Sequence, residues 1–461
     1  MSETSPRQTI CVIGAGLTGL TAAHRLLNAG FDVIVLESTL QAGGMISTFN
    51  LGREPIEYIY HHTFTSDSHL NNLTAELGLS DLLSWHQSRE ALFANDHLYP
   101  FSTPADLLRF NRISLWQRLK TGLTVLKAGR ISNWQVLENQ TAAKWLCRQG
   151  GRQSYERLWK PLLSSKFEQD ADNVSAVWIW NKFKLRGHSR EKGSGKSQLG
   201  YMKGGFGTLI DTLVKSIQAR GGRIYFGYTA MNISRDPDRT APADCSLPKY
   251  RTTCVLSDCS SVDFVTDAVV ATTSSRQFAN ISAGLELSDS YLKKILSLHY
   301  KGDLCMILRL KKSLSPYYWT TVCDDLPFVV VVEHTHLTGP ERYGGHVVYL
   351  SRYLDASSPL WTQSDGAIFK QFTQGLVRMY PDFTPADIID WRLRRTRYAQ
   401  PVINCGYSER MPAMNTPDPG VKLAGMAQIY PEDRGMNYAI RLADQAVDAI
   451  VDYFSKQSDP C

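Results

Sequence analysis

The sequence predicts an α/β protein that opens with a Rossmann-like dinucleotide-binding unit, and three observations near its start carry that prediction. Residues Thr9 to Ile13 form a short apolar run with β-branched side chains, which is typical of a buried strand. Glycines follow at the spacing G-x-G-x-x-G, ahead of a stretch whose apolar residues recur at helical period. A second apolar run, from Asp32 to Leu36, then ends at the acid Glu37. Strand, glycine turn, helix, strand and acid follow one another as in a βαβ unit.

Each glycine of this turn has a physical role in holding a dinucleotide. Gly14 permits the tight turn, Gly16 lets a pyrophosphate approach the backbone, and Gly19 lets the helix pack closely on the strand. The free N–H groups and the dipole at the start of the helix attract the phosphates. A carboxylate at the end of the second strand accepts hydrogen bonds from ribose hydroxyls. We therefore expect the dinucleotide to contact Gly14, Ala15, Gly16, Thr18, Gly19 and Glu37.

The composition is that of an ordinary globular protein and argues against several classes of function. The chain has 461 residues, 43% of them apolar, and a formal net charge of +6, which is mild for this length and does not predict nucleic-acid binding. No apolar run reaches the roughly 20 residues that span a bilayer, and the polar N-terminus lacks the anatomy of a signal peptide. The nine cysteines are scattered and form no C-x-x-C pair, so reduced thiols in the cytoplasm are expected.

The sequence predicts no metal site. Cys254 and Cys259 are the cysteines closest in sequence, and no histidine flanks them at the spacing of metal ligands. His334 and His336 alternate after an apolar strand and are expected to share one face of it, but no third ligand is evident nearby in the sequence. We expect these two histidines to lie in a substrate pocket or at the surface.

A glycine pair lies shortly beyond Glu37. The stretch Gly43-Gly44-Met45 resembles the second fingerprint of flavoproteins of the amine-oxidase and protoporphyrinogen-oxidase superfamily. The resemblance implies that FAD is the cofactor and that Gly43, Gly44 and Met45 lie against its phosphates and ribose. The family usually carries an arginine before the pair and another after it. Because this chain has Gln41 and Met45 at those places, two contacts are expected to be absent or to be made by other residues.

Two further segments resemble parts of the superfamily that lie beside the flavin ring. The aromatic stretch around His61 and His62 is similar to the flavin-facing segment of protoporphyrinogen-oxidase-like proteins and of UDP-galactopyranose mutases. Histidine titrates near neutral pH and can donate to a flavin oxygen, so both are candidate catalytic residues. The segment around Lys166 resembles the substrate domain, and the resemblance implies a positive charge of Lys166 near flavin N5. The alternatives left open are a packing role for one histidine and a solvated lysine.

Two later segments resemble those that return the chain to the FAD-binding domain. The strand from about Thr229 to Ile233 is expected to run under the adenosine, which makes Ala230 and Met231 candidate contacts. The C-terminal segment resembles a strand, an Ala-Gly pair and a helix whose N-terminus faces the flavin pyrimidine and the pyrophosphate, where its dipole stabilises negative charge. The acid that usually follows Ala-Gly is Met426 here. The remaining cofactor contacts that the resemblance implies are Gly425, Arg434, Gly435, Met436 and Asn437.

The resemblance implies a Rossmann-like FAD-binding domain built from discontinuous segments, with an inserted α+β substrate domain. The pieces of the FAD-binding domain are residues 1–75, 200–289 and 405–461. The substrate domain comprises a helical piece, 76–199, and a piece with a second sheet, 290–404. Within the helical piece, residues 104–130 are predicted to form basic amphipathic helices. They are either core helices with a solvated face, which is the commoner case, or a peripheral contact with an anionic membrane.

The resemblance implies an FAD-dependent oxidoreductase, similar to protoporphyrinogen oxidases and amine oxidases. It would oxidise a small organic molecule, lipophilic or sugar-linked, by hydride transfer to flavin N5, and the electrons would pass to oxygen or another acceptor. No second G-x-G-x-x-G lies at a strand–helix junction, so no NAD(P)H site is expected. The sequence predicts a cytoplasmic protein, with membrane association as an alternative, and does not predict its oligomeric state.

The alternative function is that of a redox-neutral flavoenzyme acting on a nucleotide sugar, similar to UDP-galactopyranose mutases. Such an enzyme binds a pyrophosphate with arginines, and this chain has four close together: Arg392, Arg394, Arg395 and Arg397. The same run is equally well a helix or a strand with a solvated face. A non-catalytic flavin-binding protein is the third hypothesis. It is supported only by the absence of the two arginines that usually flank the glycine pair.

Overall fold

The computed structural model describes residues 7–188, 198–236 and 249–458. Its strands, in chain order, are Thr9–Ile13 (β1), Asp32–Glu37 (β2), Thr48–Leu51 (β3), Glu54–Glu57 (β4), Thr63–Phe64 (β5), Leu83–Gln87 (β6), Glu90–Ala94 (β7), His97–Pro100 (β8), Gln198–Met202 (β9), Arg223–Phe226 (β10), Thr229–Arg235 (β11), Tyr250–Val255 (β12), Ser261–Thr266 (β13), Ala268–Ala271 (β14), Tyr300–Leu310 (β15), Trp319–Val322 (β16), Val330–Glu333 (β17), His346–Leu354 (β18), Ile388–Pro401 (β19) and Val421–Leu423 (β20).

Its α-helices, in the same order, are Leu17–Asn28 (α1), Ser68–Glu76 (α2), Pro104–Arg109 (α3), Leu115–Arg130 (α4), Gln135–Glu138 (α5), Ala142–Gly150 (α6), Arg152–Ser154 (α7), Lys160–Phe167 (α8), Ala176–His188 (α9), Gly207–Ala219 (α10), Ser275–Ile281 (α11), Asp289–Ser297 (α12), Thr335–Thr338 (α13), Asp365–Met379 (α14), Tyr407–Arg410 (α15) and Met436–Ser458 (α16). None of the helices in the described part of the chain combines the length and the apolar character needed to cross a membrane.

Five parallel strands form the sheet that carries the glycine turn. Their order is β10-β2-β1-β14-β20, and every neighbouring pair is parallel. A parallel sheet is buried on both faces, which explains the near-continuous apolar sequence of β1 and β14. Helices α1, α10 and α16 cover one face, and the antiparallel sheet β11-β12-β13 with α11 and α12 covers the other. Since these strands come from well-separated stretches of the chain, the predicted α/β fold with a discontinuous Rossmann-like domain is confirmed.

A mixed seven-stranded sheet forms the second layer. Its order is β19-β15-β18-β17-β16-β7-β8, and all neighbours are antiparallel except β16 and β7. Side chains alternate between the two faces of a strand. On β15, Leu304 and Met306 therefore pack towards α14, whereas Cys305 and Ile307 pack towards the parallel-sheet domain. Strands β7 and β8 belong to the stretch 76–199, so this stretch contributes to a sheet as well as supplying the predicted helices.

Helices α3 to α9 form a cluster with a core of their own. Large aromatic side chains fill it, among them Trp145, Phe167, Trp178 and Trp180. The indole N–H of Trp180 donates to the carbonyl oxygen of Ala128 at 3.0 Å, which satisfies its one polar group inside the core. This cluster adjoins the seven-stranded sheet, because Leu92 of β7 and Tyr300 of β15 belong to the same core.

The prediction that His334 and His336 share one face of a strand is wrong. Strand β17 ends at Glu333, and the chain then turns into α13. His334 is fully buried, with its ring centroid 4.5 Å from that of Tyr201. His336 Nε2 instead donates to the carbonyl oxygen of Ser315 at 2.8 Å. Alternation in the sequence places residues on one face only while the backbone stays extended, and here it does not.

Candidate active site

The turn between β1 and α1 requires glycine at two positions. Gly14 has a φ of 106°, and a Cβ there would lie 2.7 Å from Thr272 Oγ1. A Cβ on Gly19 would lie only 1.9 Å from the carbonyl oxygen of Gly14. The N-cap of α1 is Gly16, which has no side chain to satisfy the first N–H groups of the helix, including that of Thr18. An anionic group can take the place of a capping side chain there.

The glycine pair packs directly against this turn. Gly43 N donates to the carbonyl oxygen of Ala15 at 2.8 Å, and Gly43 also forms an isolated parallel bridge with Gly16. Gly44 has a φ of 56°, and a Cβ on it would lie 3.1 Å from Gly16 Cα. Met45 follows and is half-buried. The two glycine turns, far apart in the sequence, thus form one surface of bare backbone.

The buried acid Glu37 stands at the end of β2 beside this surface. Its Oε2 accepts a hydrogen bond from Ala15 N at 2.8 Å, and its Oε1 accepts from Thr39 N and Thr39 Oγ1, both at 2.8 Å. Tyr228 N donates to the carbonyl oxygen of Glu37 at 2.9 Å, which brings the start of β11 alongside the acid. Glu37 therefore already ties the glycine turn to the loop that follows β2.

The candidate adenosine contacts Ala230 and Met231 lie at the start of β11. The register of β11 against β12 shifts between Ala230 and Asn232, so Met231 sits at a bulge, and its side chain is 53% exposed. A bulge re-aims the backbone of one residue away from the ladder. Contact of these two residues with adenosine stays a prediction.

Near the C-terminal end of the chain, the Asn437 side chain accepts hydrogen bonds from the backbone of helix α2. Its Oδ1 accepts hydrogen bonds from His69 N at 2.8 Å and Leu70 N at 3.2 Å, in the first turn of α2. Asn437 thus caps α2 from the first turn of α16, and its contact with FAD stays a prediction. The neighbouring Met436 is buried. Gly425 closes the same region tightly, since a Cβ on it would lie 2.6 Å from a backbone oxygen of residue 273.

Lys166 belongs to a network of charges around the buried Asp433. Its Nζ lies 3.4 Å from Asp433 Oδ2, and the same oxygen lies 2.6 Å from Lys182 Nζ. Gln400 Nε2 donates to the other carboxylate oxygen of Asp433 at 3.1 Å. Arg434 Nε in turn donates to Gln400 Oε1 at 2.8 Å. The alternative of a solvated lysine is therefore wrong, because Lys166 is paired and largely buried.

The network shifts the pKa values of its members in different ways. Burial, with the charges of Lys182 and Arg434, lowers the pKa of Lys166 to about 7, although Asp433 opposes the change. Burial alone would raise the pKa of Asp433, but the charges of Lys166, Lys182 and Arg434 hold it well below its usual range. Near neutral pH, Lys166 therefore exchanges a proton readily while Asp433 stays ionised.

Aromatic rings enclose the ammonium of Lys166. Its Nζ lies 4.9 Å from the ring centroid of Trp178 and 5.5 Å from that of Tyr353. The hydroxyl of Tyr353 accepts a hydrogen bond from Arg434 Nη2 at 2.9 Å and lies 3.3 Å from the hydroxyl of Tyr60. Tyr60 immediately precedes the two candidate histidines. The lysine network therefore reaches the segment that the sequence places beside the flavin.

The two histidines have different partners. His61 Nδ1 lies 2.7 Å from the carbonyl oxygen of Ile59, which can only accept, so Nδ1 carries the proton and Nε2 is an acceptor. Burial, assisted by the charge of Arg434, lowers the pKa of His61 to about 4, and the ring is neutral at pH 7. His62 Nδ1 lies 3.0 Å from the Tyr318 hydroxyl. His61 thus offers a neutral acceptor, whereas His62 contacts the Tyr318 hydroxyl beside the seven-stranded sheet.

The seven-stranded sheet turns an aromatic and aliphatic face towards these residues. Residues directly opposite each other in the register share this face: Ile307, Tyr349, Val332 and Trp319 form one row across the sheet. The ring of Tyr60 packs edge-on against Trp319, with centroids 5.2 Å apart.

One acid interrupts this face. Asp303 is buried, and its Oδ1 accepts a hydrogen bond from Ser351 Oγ at 2.5 Å. Burial raises the pKa of Asp303 to about 6, against the opposing effects of Ser351, Arg434 and Lys166.

Four residues of the site were not predicted from the sequence: Asp303, Tyr353, Gln400 and Asp433. A signal existed for Asp433, because it directly precedes Arg434 in the C-terminal loop. The other three lie in strands β15, β18 and β19, where the sequence does not indicate which residues of neighbouring strands are opposite each other.

The four arginines considered for a pyrophosphate lie on β19, at an edge of the seven-stranded sheet. Arg395 Nη1 lies 2.5 Å from Asp365 Oδ1. The guanidinium of Arg397 stacks over Trp361 at 4.6 Å, and that of Arg394 over Tyr58 at 5.0 Å. Arg392 Nη1 donates to the backbone carbonyl of its neighbour at 2.8 Å. Each arginine therefore has a partner within the chain, and no pair of them is held ready for one phosphate.

A second charge cluster has the spacing of metal ligands. Candidate ligand atoms of Asp170, His299 and Asp355 lie within 4.8 Å of one another. Lys301 Nζ, however, is fully buried and lies 2.8 Å from Asp170 Oδ2 and 2.8 Å from Asp355 Oδ2. Since the lysine already supplies the cation to both carboxylates, the cluster is an ion-pair network joining the stretch after α8 to the seven-stranded sheet.

The residues present fit the FAD that the sequence predicts. Pyrophosphate needs close approach to backbone, and the positions bare of Cβ atoms at Gly14, Gly16, Gly43 and Gly44 supply it. Glu37 stands at the end of β2, where the ribose of a dinucleotide is bound in Rossmann-like domains. These five residues would hold the adenosine diphosphate half of FAD. The segment from Tyr60 to His62 adjoins the charge network of Lys166, and the flavin ring is expected there.

Comparison with known proteins identifies the family. A family model described as "Flavin containing amine oxidoreductase" matches residues 17–451, nearly the whole chain. Among curated relatives, the chain is 25% identical over 260 residues to zeta-carotene desaturase of Zea mays, covering 50% of this chain and 45% of the relative. It is 26% identical over 231 residues to coproporphyrinogen III oxidase of Mycobacterium tuberculosis, covering 46% and 51%. The chain thus spans about half the length of the curated relatives it matches.

Solved structures share the fold over almost the entire chain. Cyclohexylamine oxidase from Brevibacterium oxydans superposes with a TM-score of 0.69 at 16% identity, covering 98% of this chain and 100% of that one. Reduced UDP-galactopyranose mutase superposes with a TM-score of 0.70 at 14% identity, covering 97% and 94%. At these identities the likeness establishes the fold alone. The superfamily predicted from the glycine fingerprints is confirmed.

Proposed function

Because the chain belongs to the family of flavin-containing amine oxidoreductases, we propose that it oxidises a small organic molecule by hydride transfer to N5 of FAD, the cofactor of this family. Bound FAD supplies the two-electron acceptor, and oxygen or another acceptor then takes up the electrons. The observation that carries the proposal is the buried Lys166, ion-paired to Asp433 beside the segment of Tyr60 and His61.

Lys166 receives the proton that the substrate loses together with the hydride. Its pKa of about 7 makes the free amine available near neutral pH, as a general base requires. Asp433 holds the free amine in place by accepting a hydrogen bond from its Nζ, and Arg434 positions Asp433 through Gln400. The rings of Trp178 and Tyr353 exclude water from it.

The substrate has an apolar body under this proposal. The partly exposed rings of Trp319 and Tyr60 offer dispersion contacts and no charge, and a polar end of the substrate would meet the partly exposed Arg434. Compounds named by the relatives provide a first panel: cyclohexylamine, coproporphyrinogen III and zeta-carotene.

Anaerobic reduction tests the proposal. The FAD-loaded protein is mixed with each compound of the panel, and bleaching of the flavin absorbance is followed. With the compound that reduces the flavin, the rate should rise with pH through an apparent pKa near 7. In Lys166→Met the rate should fall about 10²-fold or more and lose this pH dependence. Lys160→Met, on the exposed side of the same helix α8, is the matched control. A pH-independent rate, or an unimpaired Lys166→Met, would refute the assignment of the base.

The mutase-like alternative draws its support from the shared fold and none from the arginines of β19, which are held by partners within the chain. It makes a distinct prediction. Conversion of UDP-galactopyranose that requires prior reduction with dithionite, together with no flavin bleaching by the panel, would favour this alternative over the oxidoreductase.

We place the protein in the cytoplasm. The seven cysteines in the described part of the chain are all free, and Cys11, Cys254 and Cys305 are buried. Free thiols persist in a reducing compartment. Fractionation of cells that express the tagged chain tests this placement, and recovery from the medium or the periplasm would contradict it.

A further inference from the structure

Helix α4 turns its apolar side chains to the solvent. The outward row consists of Leu115, Trp116, Leu119, Leu123 and Leu126, which are between 46% and 66% exposed. The leucines recur at intervals of four, four and three residues, so they form one stripe along the helix. Leu108, at the end of the adjoining α3, is 45% exposed as well. Clustered exposure of large apolar side chains marks an interaction surface.

The buried side of α4 is small and partly polar instead. Its buried residues are Thr121, Thr124 and Ala128. Thr121 Oγ1 lies 2.5 Å from Ser154 Oγ, and Thr124 Oγ1 donates to the carbonyl oxygen of Lys120 at 2.8 Å. An ordinary surface helix buries its leucines and exposes its hydroxyls. Because α4 does the reverse, packing within this chain does not explain its leucines.

The charge around this stripe has one sign. From Leu107 to Leu137 the chain contains no aspartate or glutamate, and its six basic residues are Arg109, Arg112, Arg118, Lys120, Lys127 and Arg130. Arg118 serves the fold, since its guanidinium donates to the backbone oxygens of residues 113 and 108. Arg109, Lys127 and Arg130 are exposed, and no ion pair in the described part of the chain involves them.

We propose that α4 and the end of α3 form a docking surface for an anionic lipid membrane. Leucines with a tryptophan, bordered by lysine and arginine, are the composition of a helix that lies in the plane of a membrane interface. The aliphatic stems of the basic side chains can cover apolar surface while their charges reach lipid headgroups. The uniformly positive charge of this stretch complements the negative surface of an anionic lipid membrane.

The geometry makes this a peripheral contact. With 16 residues, α4 is about 24 Å long and lies along the surface of the molecule. It packs on α9, the helix that carries Trp178 and Lys182 of the candidate site. The membrane surface would therefore adjoin the helices around the active site. The proposal rests on the exposure and charge of α3 and α4, and it stands whether or not the proposed reaction is correct.

Vesicle binding tests the surface. The FAD-loaded protein is sedimented with vesicles of equimolar phosphatidylglycerol and phosphatidylcholine, and with vesicles of phosphatidylcholine alone. We expect binding to the anionic vesicles, weakened by salt, and little binding to the neutral ones. Quenching of fluorescence by brominated phosphatidylglycerol should be lost in Trp116→Phe and kept in Trp85→Phe, which alters another exposed tryptophan.

Two double variants separate the apolar from the charged contribution. Leu119→Ser with Leu123→Ser should weaken binding about tenfold or more, because two leucines no longer enter the interface. Lys127→Gln with Arg130→Gln should weaken it about tenfold at low salt. The controls lie in helix α12. They are the single variant Leu296→Ser and the double variant Lys293→Gln with Lys294→Gln. Both change similarly exposed residues and should leave binding unaltered.

Three outcomes would overturn the proposal. One is unchanged sedimentation of Leu119→Ser with Leu123→Ser. The second is equal binding to neutral and anionic vesicles. The third is absence of vesicle binding together with self-association that the leucine variant abolishes, which would assign the surface to a second copy of the chain. Because all substituted side chains are exposed, unchanged flavin absorbance and thermal unfolding should accompany each variant.

Discussion

The ammonium of Lys166 lies 3.4 Å from Oδ2 of Asp433, although 267 positions separate the two residues in the sequence. Lys166 lies in the last turn of helix α8 of the helical cluster, and Asp433 lies in the loop that leads from the last strand of the parallel sheet to α16. This pair joins the helical cluster to the parallel-sheet domain at the place where a substrate and the flavin ring would meet. Its effect on the pKa of the lysine makes the proposed chemistry testable.

Asp433→Asn should shift the pH dependence of flavin reduction to lower pH. Without the carboxylate, the pKa of Lys166 falls below about 7, because the ion pair no longer favours the ammonium. The variant should also lose roughly 2–3 kcal/mol of unfolding free energy near neutral pH, measured with urea, since two lysines lose their partner. The folded-state pKa of Asp433 is depressed, so its stabilisation is present above about pH 4 and is lost as the pH falls below that value. Asp452→Asn, an exposed acid of α16, is the control.

Gly19→Ala should abolish FAD binding or the fold of the first domain. The added Cβ would lie 1.9 Å from the carbonyl oxygen of Gly14, and only a shift of the backbone could relieve that contact. Flavin content after purification and thermal unfolding measure the effect. Gly129→Ala, within α4, meets no atom within 4 Å and should stabilise the protein by up to about 1 kcal/mol. Normal FAD content in Gly19→Ala would contradict the close packing of α1 on the turn.

Asn437→Ala should lower the unfolding free energy by about 1–2 kcal/mol, because the N–H groups of His69 and Leu70 lose their acceptor. Asn437→Asp keeps an acceptor at the N-terminus of α2 and should restore most of the stability. Asn50→Ala, on the exposed side of β3, serves as the control. A stable Asn437→Ala that has lost FAD would instead assign the side chain to the cofactor.

Lys301→Met should destabilise the protein by about 3–5 kcal/mol near neutral pH, because it leaves buried carboxylates without a cation. Burial lowers the pKa of Lys301, but Asp170 and Asp355 outweigh this effect and raise it, so in the wild type its contribution is lost only above about pH 10. Urea unfolding near neutral pH measures the loss in the variant. Lys311→Met changes an exposed lysine and should leave the unfolding free energy unaltered.

Local patterns predicted the elements well where neighbouring residues decide the structure. The turn from Gly14 to Gly19 and the helix and strand after it depend on spacings within one stretch of chain, and the structure has them as expected. The prediction for His334 and His336 failed because it extended the period of a strand past its last residue. The resemblance predicted that Lys166 lies in the site, but it did not predict its ion pair with Asp433, which affects the pKa of the lysine.

The candidate site depends on contacts that local patterns do not contain. Ser351 and Asp303 are 48 positions apart, and Arg434 and Tyr353 are 81 apart, yet each pair forms a hydrogen bond. Such pairs arise from the register of β15 against β18 and from the closure of the C-terminal loop over the sheet. A register of β15 shifted by one residue would place the side chain of Asp303 on the opposite face of the sheet.

The sequence by itself determined the FAD-binding unit, because glycine spacing, strand hydrophobicity and the terminal acid Glu37 act over a few neighbouring residues. It also determined that α4 has an apolar stripe. Only the tertiary structure decided that this stripe faces outward, that Lys166 is buried against Asp433, and that Asn437 caps α2. The physical reason is that a helical period specifies which residues share a side, whereas burial and pKa depend on what the rest of the chain brings against that side.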